Sequence, residues 1–131
     1  MIVVDASALT EFLLQTSLGA RVEARLFRDD DDFHAPHLLD VEVTQALRRL
    51  VRTGEVLADR AEEAIADLLD IDLRRHAHVD LLGRAWELRN NLTSYDAMYV
   101  ALAEAIAAPL VTCDGPLGVT PGHAARIEVI R

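Results

Sequence analysis

The stretch Thr93-Ser94-Tyr95-Asp96-Ala97-Met98-Tyr99-Val100-Ala101-Leu102-Ala103 is followed by Pro109-Leu110-Val111-Thr112-Cys113-Asp114. It reads as a helix capped by Thr93 or Ser94 and running to Ala107, then a short strand that Pro109 starts. The helix is apolar on nearly all sides, so it belongs inside the molecule. Met1-Ile2-Val3-Val4-Asp5 repeats the strand pattern at the other end of the chain: an apolar run that stops at an acid. Such runs read as buried, parallel strands.

Between them, helical spacing alternates with short strand-like runs. Ala8 to Gln15 and Leu18 to Arg28 read as helices, and Phe33 to Pro36 as a strand stopped by its proline. His37 to Thr53 is an amphipathic helix, with Leu39, Val43, Ala46, Leu47, Leu50 and Val51 on its apolar side and Gly54 ending it. Val56 to Leu69 is a further helix, Ile71 to Arg75 a strand and Val79 to Arg89 helical. Asp114-Gly115-Pro116 is a turn, and Ile127 to Ile130 a last strand. This alternation specifies an α/β fold with a mostly parallel sheet. With 131 residues and no linker, repeat or low-complexity segment, residues 1–131 read as one domain.

Composition narrows the chemistry. Hydrophobic residues make up 51%, which argues against disorder. All 13 basic residues are arginine, so lysine-dependent phosphate loops and Schiff bases are excluded. The formal net charge of −9 speaks against holding nucleic acid by bulk charge. An RNA or DNA substrate therefore requires a local positive charge, for which a divalent cation is the obvious source. The lone cysteine, Cys113, excludes an internal disulfide and a cysteine-rich metal site. The start of the chain lacks the basic segment of a signal peptide, and no apolar run spans a bilayer. The expectation is a cytoplasmic protein.

In parallel α/β sheets, ligand sites lie beyond the carboxyl ends of the strands. Asp5 and Asp114 fall there. Asp5 also reads as an N-cap for the next helix, and Asp114 as part of an Asp-Gly turn. Glu42 sits in the first turns of its helix, on a face shared with Gln45, Arg49 and Arg52; a plain surface role suits it equally. Asp96 fits a capping box with Thr93, yet an acid at the mouth of a buried helix is dehydrated unless paired or metal-bound. Converging, the four would repel one another and call for a cation. Hard oxygen donors suit Mg2+ or Mn2+ rather than zinc. A metal of that kind can bind phosphate and acidify water, which is the chemistry of phosphodiester hydrolysis. Thr112 is placed to orient Asp114.

The remaining features have plainer readings. Arg21, Arg25 and Arg28 share a solvated helical face, and Asp29 to Asp32 is a solvated loop. Arg48, Arg49 and Arg52 follow Glu42 on its helix, where arginine suits phosphate contact. His34/His37 and His76/His78 have metal-compatible spacing but no further ligands. Trp86 reads as core or dimer packing, and 5% aromatic content leaves no base-stacking platform.

Asp5 after its strand, Glu42, Ser94 to Ala103 and Thr112-Cys113-Asp114-Gly115-Pro116-Leu117 together resemble the PIN domain, and more narrowly the VapC-type toxins of type II toxin–antitoxin systems. The resemblance spans the whole chain, and Tyr95 to Ala103 is its most specific segment. It implies a three-layer α/β/α sandwich and a Mg2+-dependent endoribonuclease acting on transfer or ribosomal RNA. It implies catalytic Asp5, Glu42, Asp96 and Asp114, with Asp5, Asp96 and Asp114 as metal ligands and Glu42 on the attacking water. Thr112, and Arg49 as a phosphate contact, support them. It also implies a homodimer silenced by a VapB-type antitoxin. A different class of function is a binding module that acts through its antitoxin complex on promoter DNA. A haloacid-dehalogenase-type phosphatase is excluded, because Ala6-Ser7 follows Asp5 where a second Asp is needed and lysine is absent.

Overall fold

The computed structural model describes all 131 residues. Five strands form one sheet in the order β3-β2-β1-β4-β5: β1 (Ile2–Val4), β2 (Phe33–Pro36), β3 (Leu73–His76), β4 (Leu110–Thr112) and β5 (Ile127–Val129). All four pairings are parallel, where the sequence asked for a mostly parallel sheet. Ile2, Val3 and Val4 are essentially inaccessible, as befits a central strand covered on both faces.

The helices divide into two layers. α1 (Ala6–Leu13), α2 (Ser17–Leu26), α3 (Leu38–Arg52) and α4 (Ala58–Asp70) pack together on one side. α6 (Ser94–Ala105) lies on the other, against β1, β2 and β4, with α5 (Leu82–Glu87) beside it. The chain builds outward from β1 through β2 to β3, then crosses back to β4. Right-handed crossovers running in opposite directions place their helices on opposite faces, which yields the α/β/α sandwich. It also sets the reversal of strand order between β1 and β4, the place where such sheets open a crevice. One apolar cluster of 32 buried residues joins the layers.

Several boundaries differ from the sequence reading, each for a local reason. α1 starts at Ala6 rather than Ala8 because the Asp5 carboxylate caps it. β3 begins at Leu73 rather than Ile71, since its four residues pair one-for-one with Phe33 to Pro36. The Val79 to Arg89 helix breaks into a 3-10 turn at Val79–Leu81 and the short α5.

Three side-chain expectations also change. Arg25 is buried rather than solvated: its Nε lies 2.5 Å from a Glu128 oxygen on β5. The Asp29–Asp32 loop is partly tied down, with Asp31 2.6 Å from the N-terminal amine. Trp86 is 68% exposed and so is not a core residue; the Arg89 guanidinium sits over its ring. No helix is long and apolar enough to cross a membrane.

Candidate active site

The crevice between the ends of β1 and β4 is built around Asp5, which is 6% exposed. Its Oδ1 accepts from the Ser7 hydroxyl (2.6 Å) and from the Ala8 N–H (3.0 Å), so the cap expected from sequence is real. Its Oδ2 accepts from the hydroxyl of Thr112, a fully buried residue. Thr112 thus orients Asp5 rather than the carboxylate of Asp114. It holds Asp114 through the backbone, its Oγ1 accepting the Asp114 N–H at 2.9 Å. Ser7 completes the stitch between the two strand ends by accepting the Cys113 N–H at 2.9 Å.

Glu42 reaches the crevice from α3, and Asp96 from the first turn of α6. Thr93 Oγ1 accepts the Asp96 N–H (3.1 Å), which leaves the Asp96 carboxylate in place at the mouth of the buried helix. Glu42 Oε1 accepts a 2.6 Å hydrogen bond from the hydroxyl of Tyr99, itself only 2% exposed. Ser7 and Tyr99 are the two polar contacts the sequence did not reveal. Tyr99 lies one turn beyond Asp96 in a helix that reads as pure core, so its hydroxyl gives no periodic signal.

The carboxyls of Asp5, Glu42 and Asp96 all sit above their ordinary pKa range. Burial is the main cause in each case. Repulsion adds to it: Asp96 acts on Asp5, Asp96 and Asp5 act on Glu42, and Asp114 acts on Asp96. The four acids therefore share one electrostatic neighbourhood. None of them forms an ion pair, whereas Arg25, Arg28, Arg60, Arg75, Arg84 and Arg126 all pair with acids elsewhere. None of the four carboxylates is therefore neutralised by a bonded protein cation.

Such a set fits a hard divalent cation by donor type and by charge. It is not a ready-made cage: no three His, Cys, Asp or Glu side chains converge closely enough to enclose an ion. A spread set of carboxylates suits an ion that keeps several waters and touches only one or two side chains directly. Softer metals are a poor match. Burial pushes the Cys113 thiol up to about 11, so it stays protonated near neutral pH. The histidines pair across β2 and β3 instead of along the sequence: His34 Nδ1 lies 2.8 Å from His76 Nε2, and the His37 and His78 rings stand 6.0 Å apart.

Beside the acids runs a groove of about 410 Å3, lined among others by Ser7, Leu18, Glu42, Arg49 and Cys113. Arg49 thus shares the groove with Glu42, as its helical spacing requires. Gln45 and Arg48 line a different groove with Asp40 and Val41, so Gln45 does not share the Glu42 face.

The match to known proteins is broad. Residues 2–119 match the PIN domain family. Ribonuclease VapC12 of Mycobacterium tuberculosis is 40% identical over 130 residues, covering 99% of each chain. The crystal structure of Mycobacterium tuberculosis VapC20, described as a Sarcin-Ricin loop cleaving toxin, superposes with a TM-score of 0.68 at 19% identity, over 92% of this chain and 100% of that one. VapBC2 from Rickettsia felis, solved bound to a DNA fragment from its promoter, superposes with a TM-score of 0.67 at 13% identity, over 98% of each chain. By family match and by near full-length relatedness, this chain belongs to the PIN-domain family, in its VapC ribonuclease branch.

Proposed function

We propose that this chain is the toxin of a type II toxin–antitoxin pair, a divalent-metal-dependent endoribonuclease that acts in the cytoplasm. The observation that carries the reading is the four-acid crevice at the strand-order reversal, free of any ion-paired arginine. Asp5, Asp96 and Asp114 are the residues that would hold Mg2+, or Mn2+ in its place. The ion, when bound, supplies positive charge to a phosphate and lowers the pKa of a water. Glu42, half-buried and held by Tyr99, would orient the attacking water and accept its proton. Attack by the water oxygen forms one new P–O bond as one ester P–O bond breaks, and the departing oxygen takes up a proton from solvent. Ser7 and Thr112 keep Asp5 in a single rotamer, and Arg49 contacts an RNA phosphate from the groove.

The near full-length relatedness to a named VapC ribonuclease supports RNA as the substrate, with a transfer RNA or a ribosomal RNA loop as the target class. In this reading residues 1–131 form a homodimer that a VapB-type antitoxin holds silent. An acidic crevice calls for basic residues on that partner. The test is brief expression of the wild type and of Asp5→Ala, with the 5′ ends of cellular RNA mapped afterwards. New ends should appear at defined sites with the wild type alone. The same ends from Asp5→Ala, or none from either, would overturn the reading. In the latter case a partner-binding module acting at promoter DNA becomes the better account.

A further inference from the structure

Several arginines have no acidic partner, and their placement is uneven. Arg49 lines one side of the groove beside Glu42. A second cation stands near Asp114, brought there by the last strand. β5 is parallel to β4, so its carboxyl end must emerge at the same edge as Asp114. The Ile130 N–H bonds the Thr112 carbonyl at 2.8 Å and fixes that exit beside β4. The chain then places the Arg131 guanidinium over Gly115, the residue next to Asp114. A methyl group on Gly115 would lie 3.8 and 3.9 Å from its two terminal nitrogens.

Arg21 clamps this position from α2, its guanidinium donating to the Arg131 carbonyl oxygen. Leu18, one turn earlier on the same helix, lines the groove. Leu18 and Cys113 therefore join the groove to the Arg21–Arg131 contact. The backbone of Ile130 and Arg131 is thus held at two points, while the Arg131 guanidinium is exposed and forms no ion pair.

We infer that Arg131 is a substrate-binding residue, contacting a phosphate of the RNA backbone on the Asp114 side of the crevice while Arg49 contacts one on the Glu42 side. Two cations flanking an acidic centre hold a polyanion across it without neutralising the acids themselves. The inference rests on the proposed ribonuclease function and adds to it a path for the strand across the crevice.

The experiment uses a labelled oligoribonucleotide that carries a cleavage end mapped with the wild type. Steady-state cleavage is measured at several salt concentrations for wild type, Arg131→Gln, Arg131→Lys and Arg89→Gln. Arg89 stacks on Trp86 and serves as a control for net charge. Arg131→Gln should raise KM about 5- to 30-fold at unchanged kcat. It should also flatten the salt dependence of log KM by about 0.7, the share of one phosphate contact on a single strand. Arg131→Lys should recover most of the loss, and Arg89→Gln should match the wild type. The melting temperature should not move, since the backbone contacts of residues 130 and 131 remain. Wild-type KM and salt slope in Arg131→Gln would overturn the inference, and so would an equal loss from Arg89→Gln. A wild type that cleaves no RNA would instead remove the ribonuclease reading on which it rests.

Discussion

Replacing Tyr99 by Phe removes one oxygen and leaves the ring in its buried place, so it isolates a single contact. That contact is the 2.6 Å hydrogen bond to Glu42 Oε1. A hydrogen bond to a charged group contributes about 1.5–3 kcal/mol. Glu42 is only half-buried and regains some water when the donor is lost, which places the cost at the low end, about 1.5 kcal/mol. For a chain of this size that lowers the melting temperature by about 4–8 °C. The same bond offsets the burial that raises the Glu42 carboxyl. Without it the carboxyl titrates higher still, and the acidic limb of the cleavage profile should move to higher pH. The stability gap between wild type and variant should be full at neutral pH, and should shrink as pH falls through the Glu42 titration. A double-mutant cycle with Glu42→Ala, read by thermal unfolding, should return a coupling of about 1 kcal/mol. An equal loss from Tyr99→Phe in the presence and absence of Glu42 would refute the reasoning, because the ring and not the hydroxyl would then be responsible.

Other perturbations test the electrostatics and the packing. Glu42→Gln keeps an acceptor for Tyr99 but removes a charge repelled by Asp5 and Asp96; it should stabilise the metal-free protein at pH 7 by about 0.5–1 kcal/mol while impairing cleavage. Because the folded carboxyl is raised, that advantage should vanish as pH drops below its ordinary value of 4.5, as a pH series of melting curves will show. Glu128→Ala leaves Arg25, 8% exposed, without its main partner and should cost about 3 kcal/mol in chemical denaturation. The Arg25 hydrogen bond depresses the Glu128 carboxyl, so the pair stabilises fully above pH 4.5 and its contribution is lost as pH falls through the depressed value. Gly19→Ala would set a Cβ 2.1 Å from the Glu11 carbonyl oxygen, where α1 meets α2, and should cost about 2 kcal/mol or more.

Local pattern reported much of this molecule. Strands β1 and β4 were legible as short apolar runs that lead to an acid, and β2 by the proline that ends it. The placement of Asp5 and Asp114 followed from that alone, since residues after parallel strands gather at one edge. What the pattern missed was what lies across the fold. Thr112 faces Asp5 over a strand pair, Tyr99 meets Glu42 between two helix layers, and Arg25 reaches from α2 to Glu128 on the edge strand β5. None of these pairs is close in sequence, and each has an equally good local reading. The histidines show the same thing in reverse: their spacing suggested pairs along the chain, and register paired them across strands.

The central claim is that the unpaired acids of the crevice act through a divalent cation on RNA. Its most direct test is cleavage of RNA by the purified chain, freed of any partner, with Mg2+, with Mn2+ and with excess chelator, alongside Asp96→Asn. Cleavage should require a divalent ion, stop in chelator and return when the ion is restored. Asp96→Asn should be folded and inactive under every condition. Full activity in chelator, or in Asp96→Asn, would contradict the account.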